Sequence, residues 1–132
     1  MRCRYALLAL LFCLLAITAS AEPLARTDQD ALLQYARQVM LSRLDQANAP
    51  PAPASTAAAQ QRACFVTFFV KRQVMACFGS FTPRHATLHE EISDNIRLAL
   101  KNDPRAIRLT PELAKVAEIQ ITFPQPPQPI SD

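Results

Sequence analysis

Two runs rich in β-branched and aromatic residues, ACFVTFFV at 63–70 and VMACFGSF at 74–81, stand on either side of Lys71-Arg72-Gln73. That pattern constrains the chain more than any other, because two short strands joined by a polar break make a β-hairpin. The break lacks the Asn-Gly or Asp-Gly pair of the tightest turns, which leaves the loop length open. Loop length in turn sets register. One register places Cys64 opposite Cys77 and Val66 opposite Met75, whereas a three-residue loop over 71–73 sends the two cysteines to opposite faces.

The flanking segments supply helices that need something to lie on. Over 27–45, Leu33, Ala36, Met40 and Leu44 recur at helical spacing, with Leu32 and Val39 widening the stripe. Thr27 suits the cap, and Asp28 and Asp30 suit the positive end of the helix dipole. Pro50, Pro51 and Pro53 make the alanine-rich stretch 47–61 an extended spacer inside the domain, with a helical turn allowed near its end. Thr87 with Glu90 three residues on is a capping box. It opens a helix whose apolar face is Leu88, Ile92, Ile96, Ala99 and Leu100 and which Asn102-Asp103-Pro104 stops. Thr110-Pro111-Glu112 reads as a short helical turn. From 117 to 123 the chain alternates, with Ala117, Ile119, Ile121 and Phe123 on one face and Glu118, Gln120 and Thr122 on the other, as in a strand with one wet side. The proline-rich tail 124–132 leaves the sheet. The expected fold is α+β, two main helices on one face of a small antiparallel sheet in the order α-β-β-α-β. It forms a single domain over 27–123, preceded by a short tail at 22–26.

The amino terminus predicts the compartment. MRCRY carries two arginines, an apolar run follows at 6–17, and Ala19-Ser20-Ala21 precedes Glu22-Pro23. Basic region, short apolar core and small-residue site together predict a secretory signal over 1–21, cleaved near Ala21. The run is shorter than the roughly 18 residues of a spanning helix, so no stable membrane insertion is expected after cleavage. Without Arg2 and Arg4, 12 basic residues face 11 acidic ones, too balanced for a nucleic-acid footprint. Cys3 and Cys13 leave with the signal. Cys64 and Cys77 then enter an oxidising space, where a pair in a small domain favours a disulfide. Closing that loop stabilises a fold by about 3 kcal/mol in the chain-entropy picture, and it requires the register that sets the cysteines against each other.

Chemistry is sparse. His85 and His89 are four apart, but Thr87 as cap leaves His85 outside the helix, and no HExxH order is present. Glu90 and Glu91 are adjacent and point in different directions on a helix. Cys64 and Cys77 are not spaced as C-x-x-C. Nucleophile elbow, Walker loop and dinucleotide fingerprint are all missing, and a chain with a single glycine is ill suited to cradling phosphate. The reading is therefore of a protein that is not an enzyme, with no cofactor and no metal. The hairpin carries more apolar surface than helices on one side can cover, because Phe65 and Phe69 flank Thr67 on the face opposite Cys64, Val66, Phe68 and Val70. Phe65, Thr67 and Phe69 are the predicted partner-binding strip, open to another protein or to a homodimer.

The segments LLQYARQVMLSRL, CFVTFFV with VMACF, LHEEISDNIRLAL and LTPELAKVAEIQITFPQP follow the order helix, hairpin, helix, final strand. In that order the chain resembles the carboxy-terminal domains of the TonB and TolA envelope proteins. The resemblance implies a periplasmic interaction domain that contacts an envelope or secretion component through its sheet. It departs from that family in lacking the inner-membrane helix and long spacer, and in reading VKRQV and GSFTPRHATL at the turn and after the second strand. Alternatives are a secretion pilotin or periplasmic chaperone and, from another class, a small exported thiol oxidoreductase.

Overall fold

The computed structural model describes residues 23–126 and 129–130. The leader expected at 1–21 and its cleavage point lie outside them. Three strands, β1 (Phe65–Val70), β2 (Gln73–Gly79) and β3 (Glu118–Thr122), form one antiparallel sheet in the order β2-β1-β3. The helices α1 (Arg26–Leu44) and α2 (Leu88–Asn102) pack on one of its faces, and α3 (Pro111–Val116) leads into β3. Short 3-10 turns occupy Ala57–Ala59 and Pro104–Arg108. The α+β architecture is as expected. None of the described helices is long and apolar enough to cross a membrane.

Register is decided at the turn. Val70 pairs with Gln73, so Lys71 and Arg72 alone make the connection, with φ of 49° and 66°. Two positive central φ values are the sign pattern of a type I′ turn, whose twist matches that of the strands it joins. One pair further on, Phe68 pairs with Ala76 and Phe69 with Val74, leaving Met75 as the extra residue of a β-bulge. The bulge explains why Met75 and Ala76 are both buried despite being consecutive.

Beyond the bulge Thr67 pairs with Cys77 and Phe65 with Gly79, while the Ser80 amide donates to the Cys64 carbonyl at 3.4 Å. The predicted Cys64–Cys77 disulfide is thereby corrected: both are free thiols. Cys64 points into the core against α2 and Cys77 points to the helix-free face, so the arrangement forbids the bond on direction alone.

The core lies between sheet and helices. Val66 and Phe68 from β1 meet Leu88, Ile92, Ile96 and Ala99 from α2 and Leu32, Ala36, Val39 and Met40 from α1, all essentially inaccessible. Burying a side chain of that size contributes about 1.5–3 kcal/mol. The α1 face is turned from the expected stripe, with Leu32 buried and Leu33 at the margin, and its cap is Ala25 rather than Thr27. Thr87 caps α2 as predicted, its hydroxyl accepting from the Glu90 amide, and Thr110 caps α3 in the same way through Leu113. The Arg37 guanidinium ties α1 to the junction of α3 and β3, donating to the carbonyls of Ala114 at 2.8 Å and Ala117 at 2.6 Å.

Candidate functional site

The helix-free face of the sheet is the surface with unusual chemistry. Strand alternation brings Phe65, Thr67 and Phe69 to it, all half-buried, beside Cys77 and Gly79 of β2 and the exposed Glu118, Gln120 and Thr122 of β3. The predicted strip therefore does share one face, away from the helices. Phe81, three-quarters exposed, packs edge-to-face on Phe65 with ring centres 5.2 Å apart. Gly79 makes room for that arrangement. A Cβ there would meet the Cys64 carbonyl oxygen, the Phe65 Cα and the Phe65 ring, each at 2.5 Å.

Cys77 sits at the centre. The Thr67 hydroxyl donates to its sulfur at 3.2 Å. Its amide points away from β1 and donates to Asp103 Oδ2 at 2.9 Å, so Thr67 and Cys77 face one another as a non-hydrogen-bonded pair, the closer of the two antiparallel spacings. Asp103 also accepts from the Arg105 amide and from its guanidinium, at 3.0 and 2.7 Å. That guanidinium holds the Asp103 carboxyl well below the usual range against the opposing effect of burial, and the backbone bonds from Arg105 and Cys77 act in the same sense as the guanidinium. In return, the hydrogen bond to Asp103 pushes Arg105 up, and the charge on Asp103 acts in the same sense. Asp103 was legible in sequence only as a helix stop; its carboxylate anchors the outer margin of β2.

Behind the face lies a buried polar network. Glu91, wholly inaccessible, accepts from the amides of Arg84 at 2.8 Å and His85 at 2.9 Å, and the Arg84 guanidinium stands 3.5 Å away. Asn95 accepts from Arg84 and donates to the Cys64 carbonyl at 2.9 Å and to its sulfur at 3.4 Å. Burial pushes the Cys64 thiol up to about 11, with the Asn95 bond working against it. The network clamps the 80–87 loop to α2 and leaves none of the buried side-chain nitrogens and oxygens among the described residues unpaired. Helical spacing carried the signal for it, since 91 and 95 fall within the stripe of 88, 92, 96 and 99.

The histidines are engaged separately. His85 Nε2 lies 3.0 Å from Asp94 Oδ2, and His89 Nδ1 lies 3.2 Å from the Ala58 carbonyl oxygen. The Asp94 carboxyl is held below its usual range, because hydrogen bonds from His85 and Arg97 and the charges of Arg97 and Arg84 outweigh desolvation.

Comparison with known proteins overturns the resemblance drawn from element order. The sequence profile of the AMMECR1 family matches residues 33–132. No curated protein matches. Among solved structures, an uncharacterized protein from Pyrococcus horikoshii superposes with a TM-score of 0.65 at 20% identity, over 80% of this chain and 56% of its own. The chain thus spans little more than half the length of that structure. TonB and TolA share only a succession of elements with it. The periplasmic envelope-interaction role implied by that likeness falls with it, as do the pilotin, chaperone and exported-oxidoreductase alternatives.

Proposed function

We infer, for a chain that belongs to the AMMECR1 family, that its working surface is the helix-free face around Cys77 and that it binds there without turnover. The ligand class is a flat, unsaturated group that lies against Phe65 and Phe81 and meets the Cys77 sulfur. One observation carries the reading: the half-buried thiol of Cys77 is built into its place, with the Thr67 hydroxyl on its sulfur and the Asp103–Arg105 pair on its amide. Recognition is favoured over nucleophilic catalysis because an activated thiol needs an adjacent base. Thr67 donates instead, and both imidazoles are held elsewhere, by Asp94 and by the Ala58 carbonyl. Aromatic surface at the site supports a planar ligand, since ring faces and edges gain about 0.5–1.5 kcal/mol beyond area burial.

Alkylation of the folded chain tests this. N-ethylmaleimide should modify Cys77 while Cys64 stays protected, and Phe81→Ala should slow that modification at least threefold relative to modification by the smaller iodoacetamide. Equal slowing with both reagents, or a Cys77 that reacts only after unfolding, defeats the proposal.

A further inference from the structure

Of the described non-glycine residues with positive φ, Lys71 and Arg72 are neighbours, at the tip of the hairpin. L-residues take that conformation at a cost, and Asn-Gly would form the same turn more readily. Local strain of this kind is kept where a site makes use of it. What the pair supplies in place of an easy turn is charge. Behind the turn lies a hollow of about 340 Å³, between the hairpin tip and the segment that joins the 3-10 turn Pro104–Arg108 to α3. Val70, the bulged Met75 and Leu113 make its apolar floor, and Lys71 and Arg108 stand on its rim. It shares no lining residue with the helix-free face around Cys77.

Charge and floor together select the occupant. No acidic residue lines the hollow, and neither Lys71 nor Arg108 has an ion-pair partner among the described residues. Arg105, three positions before Arg108, is by contrast already neutralised by Asp103. Both rim cations are exposed, so they attract an anion without first giving up an internal bond. Past Arg4 the chain carries 12 basic and 11 acidic residues, too even a balance for the basic track that a nucleic-acid backbone needs. A phosphate chain would also leave the apolar floor unused. We propose that this hollow is a docking site for an acidic segment of another protein. One aliphatic side chain of that segment seats on Val70 and Leu113 over Met75, and carboxylates before and after it meet Lys71 and Arg108. Arg108 takes its carboxylate through two parallel N–H donors, and Lys71 acts as a point charge.

Nuclear magnetic resonance titration of the nitrogen-15-labelled full chain tests the proposal, with the acetylated and amidated peptide Glu-Glu-Leu-Glu-Glu as probe. Expected are saturable amide shifts confined to residues 70–75 and 108–113, weakened at least threefold when salt rises from about 50 to 500 mM. Gln-Gln-Leu-Gln-Gln and Glu-Glu-Gly-Glu-Glu should each bind at least threefold more weakly, since the first lacks the charge and the second the aliphatic anchor. Arg108→Gln removes an exposed side chain without a hydrogen bond in the fold, so it should weaken the probe about threefold and leave the melting curve unchanged. Lys71→Asn combined with Arg72→Gly should weaken the probe as much while raising the denaturation midpoint, an opposition that damage to the fold does not produce. Absence of a saturable shift at about 10 mM probe overturns the proposal, as do shifts centred on other residues. Binding indifferent to Arg108→Gln, or equal for the peptide without leucine, overturns it too. A thymidine oligonucleotide that moves the same amides at lower concentration than the peptide would assign the hollow to polyanions and sink the peptide reading.

Discussion

Glu91→Ala is the perturbation to which this domain should be most sensitive. The carboxylate is fully enclosed, accepts two backbone amides and faces the Arg84 guanidinium. Removing it leaves the amides of Arg84 and His85 without an acceptor, at about 1–3 kcal/mol each where water cannot replace the bond. Arg84, a third exposed, keeps Asp94 and Asn95 as partners, while together the two amides lose about 3–5 kcal/mol. For a domain of roughly 100 residues that corresponds to a fall in Tm on the order of 15–30 °C. Glu91→Gln keeps the shape and one acceptor oxygen, so it should lose about half as much. Urea unfolding followed by circular dichroism reads both variants. A Glu91→Ala loss below about 1 kcal/mol would refute the argument, because it would mean that the 80–87 loop does not depend on the clamp.

Three further outcomes follow from the geometry. Gly79→Ala should destabilise by about 3 kcal/mol, the upper end of overpacking, because the added carbon meets backbone atoms of residues 64 and 65 as well as a movable ring; chemical denaturation checks it. Replacing Lys71-Arg72 with Asn-Gly should stabilise the hairpin by about 1–2 kcal/mol, since two non-glycine residues now hold positive φ, and a raised denaturation midpoint at constant slope is the measure. The Cys64 thiol, at about 11 when folded, is raised above its unfolded value near 9, so the unfolded chain releases a proton that the folded one keeps. The Cys64 contribution is thus intact below pH 9 and is lost from pH 9 to 11, by about 2–3 kcal/mol. Cys64→Ala should remove the decline that begins at pH 9 and leave the later one from buried Tyr35, whose hydroxyl is also pushed up by burial, as pH-resolved melting would show.

Much of the fold was legible in the chain. The capping box at Thr87, the alternation of 117–123 and the paired apolar runs each specify an element through a purely local rule, and each holds. Register did not follow, because it depends on two features without a local signature: a type I′ turn made of Lys71 and Arg72, and a bulge at Met75. The disulfide expectation failed there, since compartment reasoning favoured a pairing that the ladder does not allow. The α1 stripe contained both Leu32 and Leu33, and only packing chooses between neighbours. Phe65, Thr67 and Phe69 were placed on the helix-free face by alternation alone. The role of Asp103 was hidden because its partner, the Cys77 amide, is 26 residues away and invisible to any periodic pattern.

The Arg37 clamp has a consequence for synthesis. It bonds to carbonyls 77 and 80 positions downstream, and the strand those carbonyls introduce is the last to join β1. A nascent chain can close its hairpin within moments of emergence, yet β1, though central, keeps one flank bare until residues 118–122 leave the ribosome. Translation pauses over that interval would lengthen the exposure of a greasy, unpaired backbone, and truncated products ending before residue 118 should be the ones that chaperones retain.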